Sequence, residues 1–183
     1  GLNMLFTNAT PLGGFTTEYT NVGSGKFLGL SYLVWIALVV AAITWFIFNM
    51  TRHGKYMYAI GGNPQAAEVA GVPVKLTLIL IYMKAAAMYG LAGFMLGAKA
   101  GGASVQTGYG YEMEAIAACT IGGVSVTGGR GKVSSAIIGV AVFELLKVAL
   151  QYLGMNANAQ YIAIGVVIFV AISLDIRKYI ARK

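Results

Sequence analysis

The sequence predicts an all-α fold, a polytopic bundle of transmembrane helices that contains a short broken segment. Hydrophobic residues make up 58% of the chain and charged residues only 10%, whereas about a quarter of the residues of a soluble domain are charged. So little charge could not cover a water-exposed surface. Two further observations agree: several nearly uncharged runs are long enough to cross a bilayer, and most basic residues lie between these runs.

Each membrane span is predicted from an apolar run, because about 20 apolar residues are needed to cross the hydrocarbon core. The run 27–50 carries no charge and is the first predicted span. The other full spans are predicted at 76–98, 133–153 and 160–174, and the last of these can extend backwards to residue 157. The run 115–127 is apolar but short, which indicates a shorter or broken membrane segment. Residues 1–26, rich in Thr, Asn and Gly, are predicted to form an external loop or short helix.

The orientation of the spans follows from the basic residues between them. Nine basic residues fall on one side if every run crosses once, and the opposite loops hold only Lys26 and Lys99. The positive-inside rule makes the side with nine cytoplasmic. The nine are Arg52, Lys55, Lys75, Arg130, Lys132, Arg177, Lys178, Arg182 and Lys183. We therefore predict a transmembrane domain over 27–178, followed by a cytoplasmic tail at 179–183.

The cytoplasmic segment 51–75, between the first two spans, contains residues that cap helices. Asn63 is a good N-cap, Pro64 suits the first helical position, and Gly71 suits the position just past a helix end. Residues 65–70 would form about two helical turns, which persist only if they are anchored or packed. These residues alone favour a simple connector and leave open a docking helix for a cytoplasmic partner.

Three long stretches of the sequence carry a resemblance to one protein family. The first stretch, GKYMYAIGGNPQAAEVAGV, occupies 54–72, the second, GYEMEAIAACTIGGVSVTGGRG, occupies 110–131, and the third occupies 150–178. They resemble the membrane permease subunits of ribose/galactose-type ATP-binding-cassette (ABC) sugar importers, most closely the galactose/methyl-galactoside branch, and the third is similar to the last span and basic tail of that family. Subunits of this family carry further spans before this region, so the resemblance implies that the chain is a fragment, about the C-terminal half of such a subunit.

In that family the short cytoplasmic helix is the coupling helix, which sits in a cleft of the ATPase subunit. The resemblance implies this ATPase-coupling role for Asn63, Pro64, Gln65, Ala66, Ala67, Glu68 and Gly71. It also implies a translocation path for a simple sugar of the galactose or ribose class in the bacterial inner membrane. The implied partners are a cytoplasmic ABC ATPase, an external sugar-binding protein and a second copy of the permease subunit, all assembled at the lipid bilayer.

Several other function classes are disfavoured by what the sequence lacks. A P-loop needs Ser or Thr directly after its Gly-Lys pair, and none of the pairs ending at Lys26, Lys55 and Lys132 has one. We therefore predict no cofactor on this chain, with ATP bound by the partner subunit. Cys119 and His53 are the only residues of their types, so we predict no metal site and no enzyme. The net charge of +7 is spread between apolar runs, which argues against a nucleic-acid partner.

The glycine-rich stretch 101–110, which precedes the short run, is the candidate for the substrate path. Irregular backbone at membrane depth is tolerated only where it is buried in protein or lines a water-filled cavity. The residues that could hydrogen-bond a sugar are Ser104, Gln106, Thr107, Tyr109 and Tyr111. The residues alone favour the alternative, an ordinary external loop before a short helix. The glycine pairs 122–123 and 128–129 are predicted to let a helix end pack closely near the cytoplasmic side.

Three charged residues fall inside predicted spans: Lys84, Glu144 and Lys147. Intramembrane charges usually pair or face a cavity. Glu144 and Lys147 are three residues apart on one helix face, which predicts a structural ion pair. The alternative is a proton relay, as in an ion- or proton-coupled membrane carrier. Lys84 is predicted either to meet Glu144 or to line a polar cavity. The acidic residues that face outward in this topology are Glu18, Glu112 and Glu114.

Overall fold

The computed structural model describes Leu5, Asn8 and residues 10–180, and it contains eight helices within them. The helices are α1 (Thr17–Ser24), α2 (Tyr32–Met50), α3 (Arg52–Gly62), α4 (Pro64–Val69), α5 (Val74–Ala100), α6 (Tyr111–Ile121), α7 (Val133–Tyr152) and α8 (Ala157–Ile180). Four two-residue strands accompany them: β1 (Leu12–Gly13), β2 (Lys26–Phe27), β3 (Leu30–Ser31) and β4 (Gly102–Ala103). The predicted all-α fold is confirmed. Most of the predicted tail at 179–183 lies outside the described residues.

Three of the helices in the described part of the chain are long and apolar enough to cross a membrane: α2, α5 and α7, with 19, 27 and 20 residues. At 1.5 Å per residue they are roughly 28 to 40 Å long, which matches a hydrocarbon core of about 30 Å. The fourth predicted full span forms α8. This helix is longer than the predicted run, but its apolar part, Asn158–Ser173, is shorter than the other three.

The chain divides into two compact units, of which the first comprises residues 1–44 and 78–109. In this unit α1 packs against α5. The hydroxyl of Tyr19 donates a hydrogen bond to the carbonyl oxygen of Phe94 at 2.7 Å, and their ring centroids lie 4.8 Å apart. β1 pairs antiparallel with β4, with Leu12 opposite Ala103. Residues near the N-terminal side of α2 and near the end of α5 are thereby joined in one unit.

The first span begins five residues later than predicted, because Lys26–Phe27 and Leu30–Ser31 form a short hairpin. Its turn contains Leu28 and Gly29, both with positive φ, which cannot continue a helix. The indole of Trp35 donates a hydrogen bond to the carbonyl oxygen of Phe27 at 3.1 Å and fastens the hairpin to α2.

The second unit comprises residues 45–77 and 110–183, and its core lies among α6, α7 and α8. The buried core residues are Ala117, Ala118, Phe143 and Ile164. Gly139 of α7 lies directly against the carbonyl oxygen of Ala118 in α6, so the two helix backbones nearly touch. This close approach makes α6 and α7 a tight hairpin.

The short apolar run forms a helix at different bounds from the predicted 115–127. Helix α6 begins earlier, at Tyr111, and ends at Ile121, where Gly122 and Gly123 follow. Gly123 has a φ of +80°, a conformation that ends a helix. Residues 122–132, which we call the glycine loop, then connect α6 to α7.

Candidate functional site

The cytoplasmic segment predicted at 51–75, which we call the coupling segment, contains two helices where one was predicted. The additional helix is α3, and Thr51 forms the corner between α2 and α3. The Thr51 hydroxyl donates to the carbonyl oxygen of Ile47 at 2.6 Å and accepts from the Gly54 N–H at 3.1 Å. One side chain therefore satisfies the end of one helix and the start of the next, which gives the corner a fixed geometry.

The predicted caps of the short helix are confirmed. Asn63 Oδ1 accepts hydrogen bonds from the backbone N–H groups of Gln65 at 3.0 Å and Ala66 at 3.1 Å, and Pro64 occupies the first helical position. At the other end Gly71 has a φ of +82°, and its N–H donates to the carbonyl oxygen of Glu68 at 2.9 Å. Both ends of α4 are thus closed by its own sequence, as is needed for so short a helix to persist.

Most side chains of α4 face away from the rest of the chain. Ala67 is 4% exposed and is the buried contact of this helix, whereas Val69 is 91% exposed. Of the two alanines of α4, only Ala66 is exposed. Val69, which was not among the predicted coupling residues, is the exposed large apolar side chain of this helix.

The coupling segment contacts the glycine loop through backbone atoms. A Cβ atom at Gly61 would lie 2.5 Å from the backbone nitrogen of Gly129, and one at Gly129 would lie 2.7 Å from the nitrogen of Gly62. The hydroxyl of Tyr58 donates a hydrogen bond to the carbonyl oxygen of Gly131 at 2.8 Å. The close approach predicted for the glycine pair 128–129 is confirmed. Tyr58 could not be identified from the sequence, because its partner lies 73 positions away.

The predicted substrate-path residues of the first unit form a series of turns. The Ser104 N–H donates to Thr107 Oγ1 at 2.8 Å, and the two side-chain hydroxyls lie 3.1 Å apart. The N–H of Tyr109 donates to the carbonyl oxygen of Gln106 at 3.1 Å, and the Tyr109 side chain is 82% exposed. Ser104 and Thr107 therefore hydrogen-bond each other, while Gln106 and Tyr109 present exposed side chains. Tyr111 is exposed as well, but it begins α6 in the second unit.

An open cavity of about 420 Å³ lies in the first unit beside α1 and the start of α2. Its lining residues are Glu18, Asn21, Val22, Tyr32, Trp35 and Ile36. None of the predicted substrate-path residues is among them. Because its wall is mostly apolar, the cavity does not supply the polar lining that was predicted for a sugar path.

The ion pair predicted between Glu144 and Lys147 is present, but it is not the closest one. Lys147 Nζ lies 2.7 Å from Glu114 Oε2 on α6 and 3.6 Å from Glu144 Oε1. The side chains of Lys147 and Glu114 are about one-fifth exposed, whereas that of Glu144 is 58% exposed. The main partner of Lys147 is therefore Glu114, which the topology had placed among the outward-facing residues. The sequence could not indicate this pair, because it depends on the packing of α6 against α7.

The third predicted intramembrane charge, Lys84, lies on α5 in the first unit, and Glu144 lies on α7 in the second. Among the described residues of the first unit, no carboxylate lies within 4.0 Å of the Lys84 amine. Its contact with Glu144 and its place beside a polar cavity both stay predictions. Among the side chains that the structure describes, no cluster of three His, Cys, Asp or Glu residues could hold a metal.

Comparisons with known proteins give the resemblance a broader basis. Over residues 2–172 the chain matches the family described as the permease component of branched-chain amino acid transport systems. It is 40% identical over 190 residues to the galactose/methyl galactoside import permease protein MglC of Escherichia coli strain K12, an alignment that covers 100% of this chain and 56% of that protein.

Ribose import permeases are also similar to the chain. RbsC of Escherichia coli strain K12 is 35% identical over 182 residues, which cover 97% of this chain and 57% of RbsC. RbsC of Bacillus subtilis strain 168 is 35% identical over 180 residues, with 97% and 56% covered. The chain thus spans about half the length of the curated relatives it matches. No solved structure matches it. Because the family match extends over nearly the whole sequence, the chain belongs to the family of branched-chain amino acid transport system permease components.

Proposed function

We propose that the chain is part of the transmembrane subunit of an ATP-binding-cassette importer and contributes to the translocation path of a simple sugar. The sugar class comes from the relatives, whose names specify galactose, methyl galactoside and ribose. ATP is hydrolysed by a partner subunit, and this chain binds no cofactor and has no enzyme activity of its own. The protein is a multi-pass membrane protein, and we place it in the bacterial inner membrane.

The observation that carries the proposal is helix α4, a capped helix of six residues with an exposed outer face. It lies in the chain between two helices of membrane-spanning length, α2 and α5. The caps at both ends keep this short helix formed, so that a partner can bind it as a rigid body. The apolar side chain of Val69, almost fully exposed, gives α4 a surface that a partner could bury.

The proposed orientation, with the C-terminus in the cytoplasm, is supported by contacts between loops. The coupling segment and the glycine loop both carry basic residues that the positive-inside rule assigns to the cytoplasm. Tyr58 and Gly131 connect these two loops directly. A contact of this kind requires both loops to lie on the same side of the membrane, so the charge pattern and the geometry agree.

The proposed assembly has three protein partners. A cytoplasmic ABC ATPase docks on α4, an external sugar-binding protein delivers the sugar, and a second copy of the subunit completes the path. The exposed polar residues Gln106, Tyr109 and Tyr111 are our candidates for contact with sugar. An ion- or proton-coupled carrier is not supported, because the relatives are import permeases.

The test of ATPase docking is the substitution Ala66→Glu in the protein at its natural length. Ala66 is the third residue of α4, and a carboxylate in the first turn interacts favourably with the N-terminal end of the helix dipole, so the helix itself is preserved. The added charge would enter a partner's cleft unpaired, and we expect ATPase co-purification to fall by more than about tenfold. Ala59→Glu, on an exposed position of α3, is the matched control. Normal ATPase binding by the Ala66→Glu protein would rule out the docking role of α4.

A further inference from the structure

We infer that the contact between Gly61 and the glycine loop is the joint through which movement of α4 reaches the membrane helices. The inference rests on the proposed function, because it assigns a path to a force that an ATPase would apply at α4. It adds positioning residues, Gly61, Gly128, Gly129 and Tyr58, which lie outside the proposed docking surface.

The first part of the path is short and stiff. Asn63 is the C-cap of α3 and the N-cap of α4, so a single residue separates the two helices. Its N–H donates to the carbonyl oxygen of Ala59 at 3.0 Å, and its own carbonyl oxygen accepts from the Ala67 N–H at 3.0 Å. A displacement of α4 therefore moves the end of α3, where Gly61 lies.

The second part is the contact itself, which has no flexible side chain in it. A Cβ atom at Gly61 would be 2.5 Å from the Gly129 nitrogen and 3.0 Å from the Gly129 Cα. Gly128 and Gly129 have φ values of +93° and +70°, in the left-handed region that favours glycine. Backbone atoms at van der Waals distance cannot be compressed, so a push at Gly61 must displace the loop.

The hydrogen bond from Tyr58 makes the joint act in both directions. A bare contact between two backbones transmits a push but not a pull. The Tyr58 hydroxyl, one helical turn before Gly61, is bonded to the Gly131 carbonyl oxygen at 2.8 Å and would hold the loop when α3 retreats. Within the loop the Ser125 N–H donates to the carbonyl oxygen of Arg130 at 3.1 Å, so the loop can move as one piece.

The last part connects the glycine loop to the α6–α7 hairpin. Gly122, at the start of the loop, lies against the backbone of Ser135 in the first turn of α7, and Gly139 lies against Ala118 of α6. The same two helices are connected again by the Lys147–Glu114 ion pair. Because α6 and α7 are joined at both places, we expect displacement of the loop to move them together.

The joint is tested with Gly61→Ala and Gly62→Ala in the protein at natural length, co-expressed with its ATPase and reconstituted in phospholipid vesicles. Gly62 is the matched control, because it is the neighbouring glycine of α3 and a Cβ atom there meets nothing within 4 Å. We expect both variants to bind the ATPase normally. We also expect sugar uptake per ATP hydrolysed to fall more than about tenfold in Gly61→Ala only.

A second pair of variants covers the case in which Gly61→Ala fails to insert. Tyr58→Phe removes only the hydroxyl that bonds Gly131, and Tyr56→Phe makes the same change at a neighbouring tyrosine of α3. Uptake per ATP should fall in Tyr58→Phe by about two- to fivefold and stay normal in Tyr56→Phe. Normal uptake per ATP in either Gly61→Ala or Tyr58→Phe overturns the joint. Failure of the unsubstituted protein to bind any ATPase overturns the proposed function instead, so the two failures are distinguishable.

Discussion

The α6–α7 hairpin is held together differently in two regions. Near the glycine loop, Gly122 lies on the backbone of Ser135 and Gly139 lies on Ala118, with no side chain between the helices at these points. Farther along α7, the long side chains of Lys147 and Glu114 meet at 2.7 Å. In the first region the helices can meet because glycine has no Cβ atom. In the second region they are connected by two opposite charges.

This difference determines how each region responds to substitution. A Cβ atom added between two backbones has nowhere to go, because neither backbone can rotate away as a side chain can. A charge pair fails when one partner is removed, since the remaining charge is left in a medium that solvates it poorly. Removal of both charges is milder. Substitutions in the two regions should therefore differ in how far they lower the stability of the protein.

Gly139→Ala should be the most damaging of these substitutions. Its Cβ would overlap the Ala118 carbonyl oxygen and lie 2.6 Å from the Gly122 nitrogen, so α6 and α7 must separate. We expect the free energy of unfolding to fall by about 3 kcal/mol or more, which is the upper end of the range for overpacked sites. Thermal unfolding of the purified protein in detergent measures it. Gly165→Ala on α8 is the control, because a Cβ there meets nothing within 4 Å, and equal losses in both would refute the backbone contact.

Lys147→Met should rank second, because it leaves Glu114 without its cation. We expect the free energy of unfolding to fall by about 2 kcal/mol. This is less than for a fully buried pair, because both side chains are about one-fifth exposed. The double variant Lys147→Met with Glu114→Gln should recover most of this stability in the same unfolding measurement. A double variant that is less stable than Lys147→Met would show that the pair does not account for the loss.

Asn63→Ala removes a contact between a side chain and the backbone, whereas the first region has contacts between backbones and the second a contact between side chains. The lost atom is the side-chain oxygen that accepts hydrogen bonds from the N–H groups of Gln65 and Ala66. Loss of this cap should weaken α4 by about 1 kcal/mol and leave the helix bundle unchanged. Hydrogen exchange at the Gln65 and Ala66 amides should accelerate about fivefold, while exchange in α7 stays constant. Asn63→Asp keeps the acceptor oxygen and should exchange like the unsubstituted protein. Unchanged amide protection in Asn63→Ala would contradict the capping role.

Glu144→Gln should have the smallest effect and change the free energy of unfolding by no more than about 0.5 kcal/mol. Its carboxylate is 58% exposed and lies 3.6 Å from Lys147, which keeps the closer Glu114. The control is Glu114→Gln, which should be the more damaging of the two in the same unfolding assay. A larger loss in Glu144→Gln would restore the pair first predicted from the spacing of residues along α7.

The contacts that could be predicted from sequence are those made within a few residues. The cap of α4 follows from Asn63 and Pro64, because a cap is formed by neighbours in the chain. The spans follow from hydropathy alone, as α2, α5 and α7 illustrate. Helix α3 was missed because its three glycines, Gly54, Gly61 and Gly62, disfavour a helix.

Contacts between distant residues could be predicted only in part. The glycine pair 128–129 indicated a close approach, but its partner Gly61 could not be identified from composition. Lys147 was assigned to Glu144 because spacing along one helix is visible in a sequence, whereas the crossing of α6 and α7 is not. The substrate-path residues remain predictions, since polar type alone does not say which hydroxyls are used locally, as those of Ser104 and Thr107 are.

The glycine contact at Gly61 limits how the protein can evolve. When two large side chains meet, a bulkier residue on one side can be compensated by a smaller one opposite. Gly129 is already the smallest residue, so a second-site mutation that trims it cannot rescue an alanine at Gly61. Suppressors of such a variant must instead shift a whole backbone segment, for example by changing the length of the glycine loop. A selection for restoration of the proposed sugar uptake should therefore yield insertions or reversions rather than compensating side chains.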